Sequence, residues 1–492
     1  MHPNPVPIGQ RVFYEIFVQS FYDSNGDGIG DLNGVTSKLD YLKGLGVNGI
    51  WLLPVHPSPT YHKYDVTDYY GIHPDYGTME EMKTLLQEAH QRDILVIIDM
   101  VINHTSSEHF FFKESRKGKD NPFRDYYIWS GDTLVQKQNP HHWHKNQKDP
   151  EKYYGFFWKG MPDLNYNHPD VRAEMKKIGK FWITEVGVDG FRLDAIKYIY
   201  PDSLVDKNVE WWQEYRTSLE GTGKDFFLVA EIWDHSDYIS AFLNRGVHSA
   251  FNFDLSFAIE KMLIDKKDPG IGDLISYIHQ GYRAASDSYQ DAVFLKNHDQ
   301  DRIMSLLSDM RQGKLAASIL LTLPGTPFLY YGEEIGMLGM KPDEYIREPM
   351  VWDAPGLDPG QTHWIDPRYS TPNKITPVSL QLKDPGSLLS HYKAMIALRK
   401  EHPALATGTI KSLEGIPGHF CGYVLNSGSE EILVIHNLTD RAAKLKSDQI
   451  NKDGTILYIA GKFGRKKNVL FLEPFGTLIL KYELTPSYQV PG

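Results

Sequence analysis

The chain has 492 residues, 41% hydrophobic and 23% charged, which is the balance of a globular protein too long for one compact core. A formal net charge of −11, with no Lys/Arg-rich block, argues against nucleic acid as a partner. The single cysteine, Cys421, excludes an intramolecular disulfide framework. The longest apolar stretch, around Ala316 to Tyr331, is broken by Pro324, Gly325 and Pro327, so no membrane-spanning helix is expected.

The opening MHPNPVPIGQ has neither the basic region nor the apolar stretch of a signal peptide. The expectation is a cytoplasmic protein or the mature form of a secreted one. Strand-like runs follow at 11–20, 47–54, 94–101, 188–194, 226–233, 247–254, 291–298 and 326–332, with helical patterns between them. In one of those helices Thr78 and Glu81 form a capping box, and Met82, Leu85, Leu86 and Ala89 make one apolar face. Alternating strands and helices argue for a parallel sheet, and eight such units match a (β/α)8 barrel. More than sixty residues separate His104 from the helix near Asp170, too many for a plain loop, so 105–169 is expected to form an inserted lobe. After the amphipathic stretch Leu388–Leu398, short alternating runs such as ILVIHNL and VLFLEPFGTLILKY predict a C-terminal antiparallel β-sandwich over 406–492. The barrel would then comprise 1–104 and 170–405. No internal repeat or low-complexity segment interrupts this order.

Three of the strand-like runs end abruptly in a carboxylate: GFRLDA at Asp194, VAEIW at Glu231 and KNHDQDR at Asp299. Charged residues are rarely buried without a partner or a task, so three acids at three strand ends mark a candidate site. In a barrel, catalytic groups sit at those C-terminal ends. A bland alternative is a structural ion-pair network around Arg192, with Asp99 and Asp194 merely holding the barrel.

Together with DMVINHT (99–105), MPDLN (161–165) and YYGEEIG (330–336), these stretches resemble the α-amylase family of glycoside hydrolases, the retaining enzymes of family 13. Six motifs in order cover roughly residues 10 to 340. The resemblance implies a (β/α)8 TIM barrel, a domain B protruding after the third strand, and a C-terminal β-sandwich. It also implies Asp194 as nucleophile, Glu231 as proton donor and Asp299 as the acid that grips sugar hydroxyls. The residues agree. Arg192, two positions before Asp194 on the same strand face, favours the ionised carboxylate and is expected to lower its pKa. Glu231 follows the apolar FFLVA run, a setting that raises a carboxyl pKa and suits a general acid. By the same resemblance His104 and His298 hydrogen-bond the sugar, Tyr64 stacks on it, and Lys197 contacts the leaving side. Tyr198 departs from the family's frequent histidine. HHWH at 141–144 lacks a conventional metal spacing and is expected at the surface or lining the substrate.

The run DSNGDGIGD places oxygen donors at Asp23, Asn25, Asp27, the Ile29 carbonyl and Asp31, with glycine at its sixth position, as in the first half of an EF-hand loop. A structural Ca²⁺ is expected there, against the plainer reading of a turn whose last Asp caps the next helix. The resemblance also implies a junction calcium site using Asn103. The resemblance implies that Tyr61 replaces the Asp by which exo-acting α-glucosidases close the site, that Ala195 is similar to the amylases rather than the 1,6-glucosidases, and that MPDLN resembles the group between oligo-1,6-glucosidases and neopullulanases, which includes bacterial α-amylases. The expected activity is endo-hydrolysis of α-1,4 bonds in starch, glycogen and maltooligosaccharides by a monomer without membrane or nucleic-acid partners. The runner-up is a related hydrolase or transglycosylase acting on short α-glucans, pullulan or cyclodextrins. A non-catalytic scaffold of the same fold is disfavoured because all three acids are present.

Overall fold

The computed structural model describes residues 7–130, 141–146, 151–307, 309–447, 450 and 454–482. The first six residues of the leader reading, residues 131–140 and 147–150 of the long insertion and the last ten of the chain lie outside them. Eight parallel strands close into a barrel: β1 (Phe13–Ile16), β2 (Gly49–Leu52), β3 (Leu95–Met100), β4 (Gly190–Leu193), β5 (Phe227–Ala230), β6 (Ser249–Phe251), β7 (Gln290–Phe294) and β8 (Thr326–Tyr330). Each expected strand is present, and most are shorter than their apolar runs. The largest difference is at β1, where the run continues past Ile16 as a buried helical turn, Val18–Phe21. A short apolar run reports burial without distinguishing strand from helix, and here the backbone turns while staying inside.

The barrel interior is filled by stacked rings, with Phe13 against Phe328 at 4.8 Å and Phe227 at 5.7 Å, and Phe251 against Phe328 at 4.9 Å. Gly190 opens β4 at φ +146°, and a Cβ there would lie 1.9 Å from the Phe227 carbonyl oxygen. Only glycine lets β4 and β5 approach this closely, and that approach fixes the spacing of the Arg192 and Glu231 strands. The register then opposes Asp99 and Arg192 across β3 and β4. The helix Met79–Gln91 carries the expected capping box, with Glu81 N donating to Thr78 Oγ1 and Thr78 N donating to Glu81 Oε2.

Between β3 and the helix Pro169–Phe181 lie the helix Phe110–Ser115 and a two-stranded antiparallel sheet, Trp143–Lys145 with Lys152–Tyr154. Its rings Phe112, Tyr127 and Trp129 are continuous with the barrel core. From Thr409 onward, five- and three-stranded antiparallel sheets follow. Along the strands Phe420–Asn426 and Glu431–Asn437, alternate residues serve two cores. Cys421, Tyr423, Ile432 and Val434 join the barrel core, whereas Phe420, Leu433 and Ile435 pack between the sheets. The two-residue period thus fastens the sandwich to the barrel. No helix among the described residues is long and apolar enough to cross a membrane.

Candidate active site

Asp194 and Glu231 directly follow β4 and β5, and Asp299 lies five residues beyond β7, so all three acids stand at the C-terminal mouth of the barrel. They share a cavity of about 360 Å³ with His62, Tyr64, His104, Phe157, Trp158, Tyr198, Trp233 and Arg347. Behind its floor the buried Arg192 reaches three carboxylates. Its Nη1 donates to Asp99 Oδ1 at 2.7 Å and Asp194 Oδ1 at 2.6 Å, and its Nη2 lies 3.0 Å from Glu231 Oε2. The network foreseen as the bland alternative therefore exists, but two of its acids open into the cavity.

One guanidinium cannot neutralise three buried acids. Burial raises the Glu231 pKa, with Arg192 opposing and the nearby Asp194 adding to the rise. Asp99, enclosed completely, is pushed up to about 7 by burial in spite of Arg192. For Asp194 the expected lowering by Arg192 is present, yet burial outweighs it and the net direction is upward. The sequence revealed the cation and not the depth of the site. Ala195, in the left-handed region at φ +51°, turns its N–H onto Glu231 Oε2 at 3.1 Å. A strained non-glycine backbone here holds the carboxyl in place.

Asp299 is held differently. Burial opposes its charge, but His298 and Arg347 outweigh that cost and hold its pKa well below the usual range. Arg347 Nη2 lies 2.9 Å from Asp299 Oδ1 and His298 Nε2 lies 3.1 Å from Oδ2. His298 Nδ1 meets Glu15 Oε1 at 2.6 Å, and its ring stacks on Tyr64 at 5.6 Å. Burial disfavours the His298 cation, yet Asp299 and Glu15 push its pKa up to about 9. His104, by contrast, is kept neutral by burial, which lowers it to about 4, and its Nε2 donates to the Tyr64 carbonyl at 3.2 Å.

Tyr64 and His104 line the cavity, while Arg192 and His298 stand behind its wall. Lys197 does not line it; its ammonium is held by Asp234 at 2.8 Å. Tyr198, the departure from the family pattern, stacks on Phe156 at 4.2 Å and so joins the barrel rim to the inserted segment. His144 Nε2 pairs with the Gly155 carbonyl and His142 stacks on Phe156, so HHWH is tied into the inserted segment. Sequence reasoning missed Glu15 and Arg347. Glu15 is a lone acid inside the apolar run FYEIF, a signal of the same kind as the other three. Arg347 sits in a loop beyond β8, and its pairing with Asp299 across 48 residues leaves no local pattern.

The run Asp23–Asp31 is a closed turn. Asp23 accepts from the amides of Asn25, Gly26 and Gly28, Asn25 Oδ1 accepts from Asp27 N, and Asp27 Oδ1 accepts from Ile29 N. Asp31 caps the helix Leu32–Ser37 through Gly34 N at 2.7 Å. Among the described residues no three His, Cys, Asp or Glu side chains gather as a metal site. Asn103 Nδ2, just after β3, reaches Asp163 Oδ2 of the inserted segment at 3.4 Å.

Residues 15–408 match the family model for the α-amylase catalytic domain. The chain is 45% identical over 471 residues to Alpha-amylase 3 of Dictyoglomus thermophilum, covering 96% of this chain and 93% of that protein. It is 33% identical to the oligo-1,6-glucosidase of Parageobacillus thermoglucosidasius, over 88% of this chain and 90% of that one. The crystal structure of the α-amylase from H.orenii superposes with a TM-score of 0.87 at 41% identity, covering 96% of this chain and 99% of that one. The strand-end acids, the barrel that carries them and these likenesses together make the chain a member of the α-amylase family of glycoside hydrolases.

Proposed function

We propose that the protein is an endo-acting, retaining hydrolase of α-1,4-glucosidic bonds in starch, glycogen and maltooligosaccharides. The observation that supports this reading best is the sharing of Arg192 by Asp194 and Glu231, which brings two carboxyls to opposite ends of one guanidinium in one cavity. A retaining glycosidase needs a nucleophile and an acid about 5–5.5 Å apart. With Asp194 ionised against Arg192, its charge helps keep the proton on Glu231.

Asp194 attacks the anomeric carbon while Glu231 gives its proton to the departing glycosidic oxygen. Glu231, now a carboxylate, takes a proton from water, and the hydroxide displaces Asp194 with a second inversion. Asp299, held ionised by Arg347 and His298, accepts sugar hydroxyls and offsets positive charge on the ring carbon. Tyr64 offers a ring face to the sugar, and neutral His104, whose N–H is given to the Tyr64 carbonyl, helps wall that position.

Tyr61 stands where an exo-acting relative would close the site with an Asp. Its ring stacks on Trp364 at 5.5 Å and its hydroxyl lies 3.5 Å from Arg347 Nη1, so an uncharged ring stands in place of a carboxylate. Soluble starch is therefore expected to lose iodine staining rapidly and yield mixed maltooligosaccharides, with little release from p-nitrophenyl-α-glucoside. Glucose as the sole early product would overturn the endo reading, and faster cleavage of cyclodextrin than of starch would favour the related hydrolases and transglycosylases.

The Asp23–Asp31 loop is proposed to hold a structural Ca²⁺ through Asp23, Asn25, Asp27, the Ile29 carbonyl and Asp31. The donors are all oxygen, as a hard cation requires, and although Asp23 Oδ1 and Asp31 Oδ1 each already accept two hydrogen bonds, Asp23 Oδ2, Asp27 Oδ1 and Asp31 Oδ2 each accept one amide and keep a second lone pair. A bound ion there would stiffen the turn leading into the capped helix and take no part in bond cleavage.

A further inference from the structure

The cavity wall on the Glu231 side ends at Trp233, two residues beyond that acid. One indole face lies flat on Phe253, at 4.6 Å and 15° between planes, while 41% of Trp233 remains exposed. Phe253 opens the helix Phe253–Asp265 and is itself buried. One turn further along that helix, Phe257 shares the same face, 6.2 Å from Trp233, and is also 41% exposed. Phe257 is outside the cavity and no step of the mechanism uses it. Its ring is nonetheless set in place. The ammonium of Lys296 lies 5.6 Å from its centroid and is anchored in turn by Glu260, one turn further along the helix. Ile264, two turns beyond Phe257, continues the stripe at 48% exposure.

An exposed phenylalanine is ordinary alone. Two exposed rings in contact, one lining the catalytic cavity and the next oriented by a buried cation, form a path leading out of the site. We infer that Phe257 is a further sugar-binding platform on the leaving side, beyond Trp233, through which the enzyme selects α-glucans long enough to reach it. The inference rests on the proposed reading of Glu231 as proton donor, because that role makes the Trp233 side the departing one. Flat apolar ring faces suit pyranose rings, and a ring already held in position loses little freedom on binding.

Reducing-end-labelled maltoheptaose reports how many glucose units sit on the leaving side at each cut. Phe257→Ala is expected to shift labelled products toward shorter fragments and to lower kcat/KM on maltoheptaose roughly threefold to tenfold. On p-nitrophenyl α-maltotrioside, whose aglycone fills only the first leaving position, kcat/KM should stay within about twofold. Phe257→Leu, which keeps apolar bulk without a flat ring, should behave like the alanine variant, and Phe257→Tyr should restore the wild-type pattern. An unchanged fragment pattern, or equal loss on both substrates, would overturn the platform. Failure of the wild-type enzyme to cut maltoheptaose would instead overturn the α-glucan reading on which it stands.

Discussion

Asp194 and Glu231 compete for one guanidinium, and their chemistry follows from that contest. Burial and the neighbouring carboxylate both favour a proton on Glu231, so the acid form should persist above the usual carboxylate range. The alkaline limb of kcat/KM then reports loss of that proton as pH rises through the raised pKa. Glu231→Gln and Asp194→Asn should each lower starch hydrolysis by several orders of magnitude while leaving the melting temperature nearly unchanged. Near wild-type turnover by Glu231→Gln would contradict the assignment. At this scale the sequence was informative wherever a charge interrupted an apolar run. Arg192, Asp194 and Glu231 stood out for that reason, and Glu15 could have been found by the same logic. Arg347 was invisible because its partner, Asp299, is brought to it only by closure of the barrel. The upward shift of Asp194 was also hidden, since solvent exclusion depends on what the inserted segment covers.

Elements were legible where periodicity and turn chemistry agreed. The helix Met79–Gln91 had its cap and its apolar face written locally, and it forms as read. The run at 11–20 had only hydrophobicity to offer, so the change from strand to helical turn after Ile16 could not be seen. The Asp23–Asp31 loop folds as the helix-capping turn, with Asp31 on Gly34 N, whereas its Ca²⁺ is a proposal. If the loop binds Ca²⁺, exhaustive chelation should lower the melting temperature, since an ion bound only by the folded state stabilises it by mass action. Asp27→Ala should abolish most of that shift. A melting curve unmoved by chelation would leave the plain turn as the correct account.

Over the whole molecule, the closed barrel brings strand ends separated by more than a hundred residues to one mouth, and the segment between β3 and the Pro169–Phe181 helix roofs it with Phe157 and Trp158. The alternation in the C-terminal sheet was readable, but not that its two faces serve separate cores, because period two says which residues share a face and not what each face meets. The central proposal joins all three scales: the barrel holds both acids at one mouth, and with Asp194 proposed to attack and Glu231 to protonate, two inversions follow. Proton NMR over the first minutes of maltopentaose hydrolysis tests this most directly. The product should appear first as the α-anomer and only later mutarotate, whereas initial release of the β-anomer would contradict the retaining mechanism.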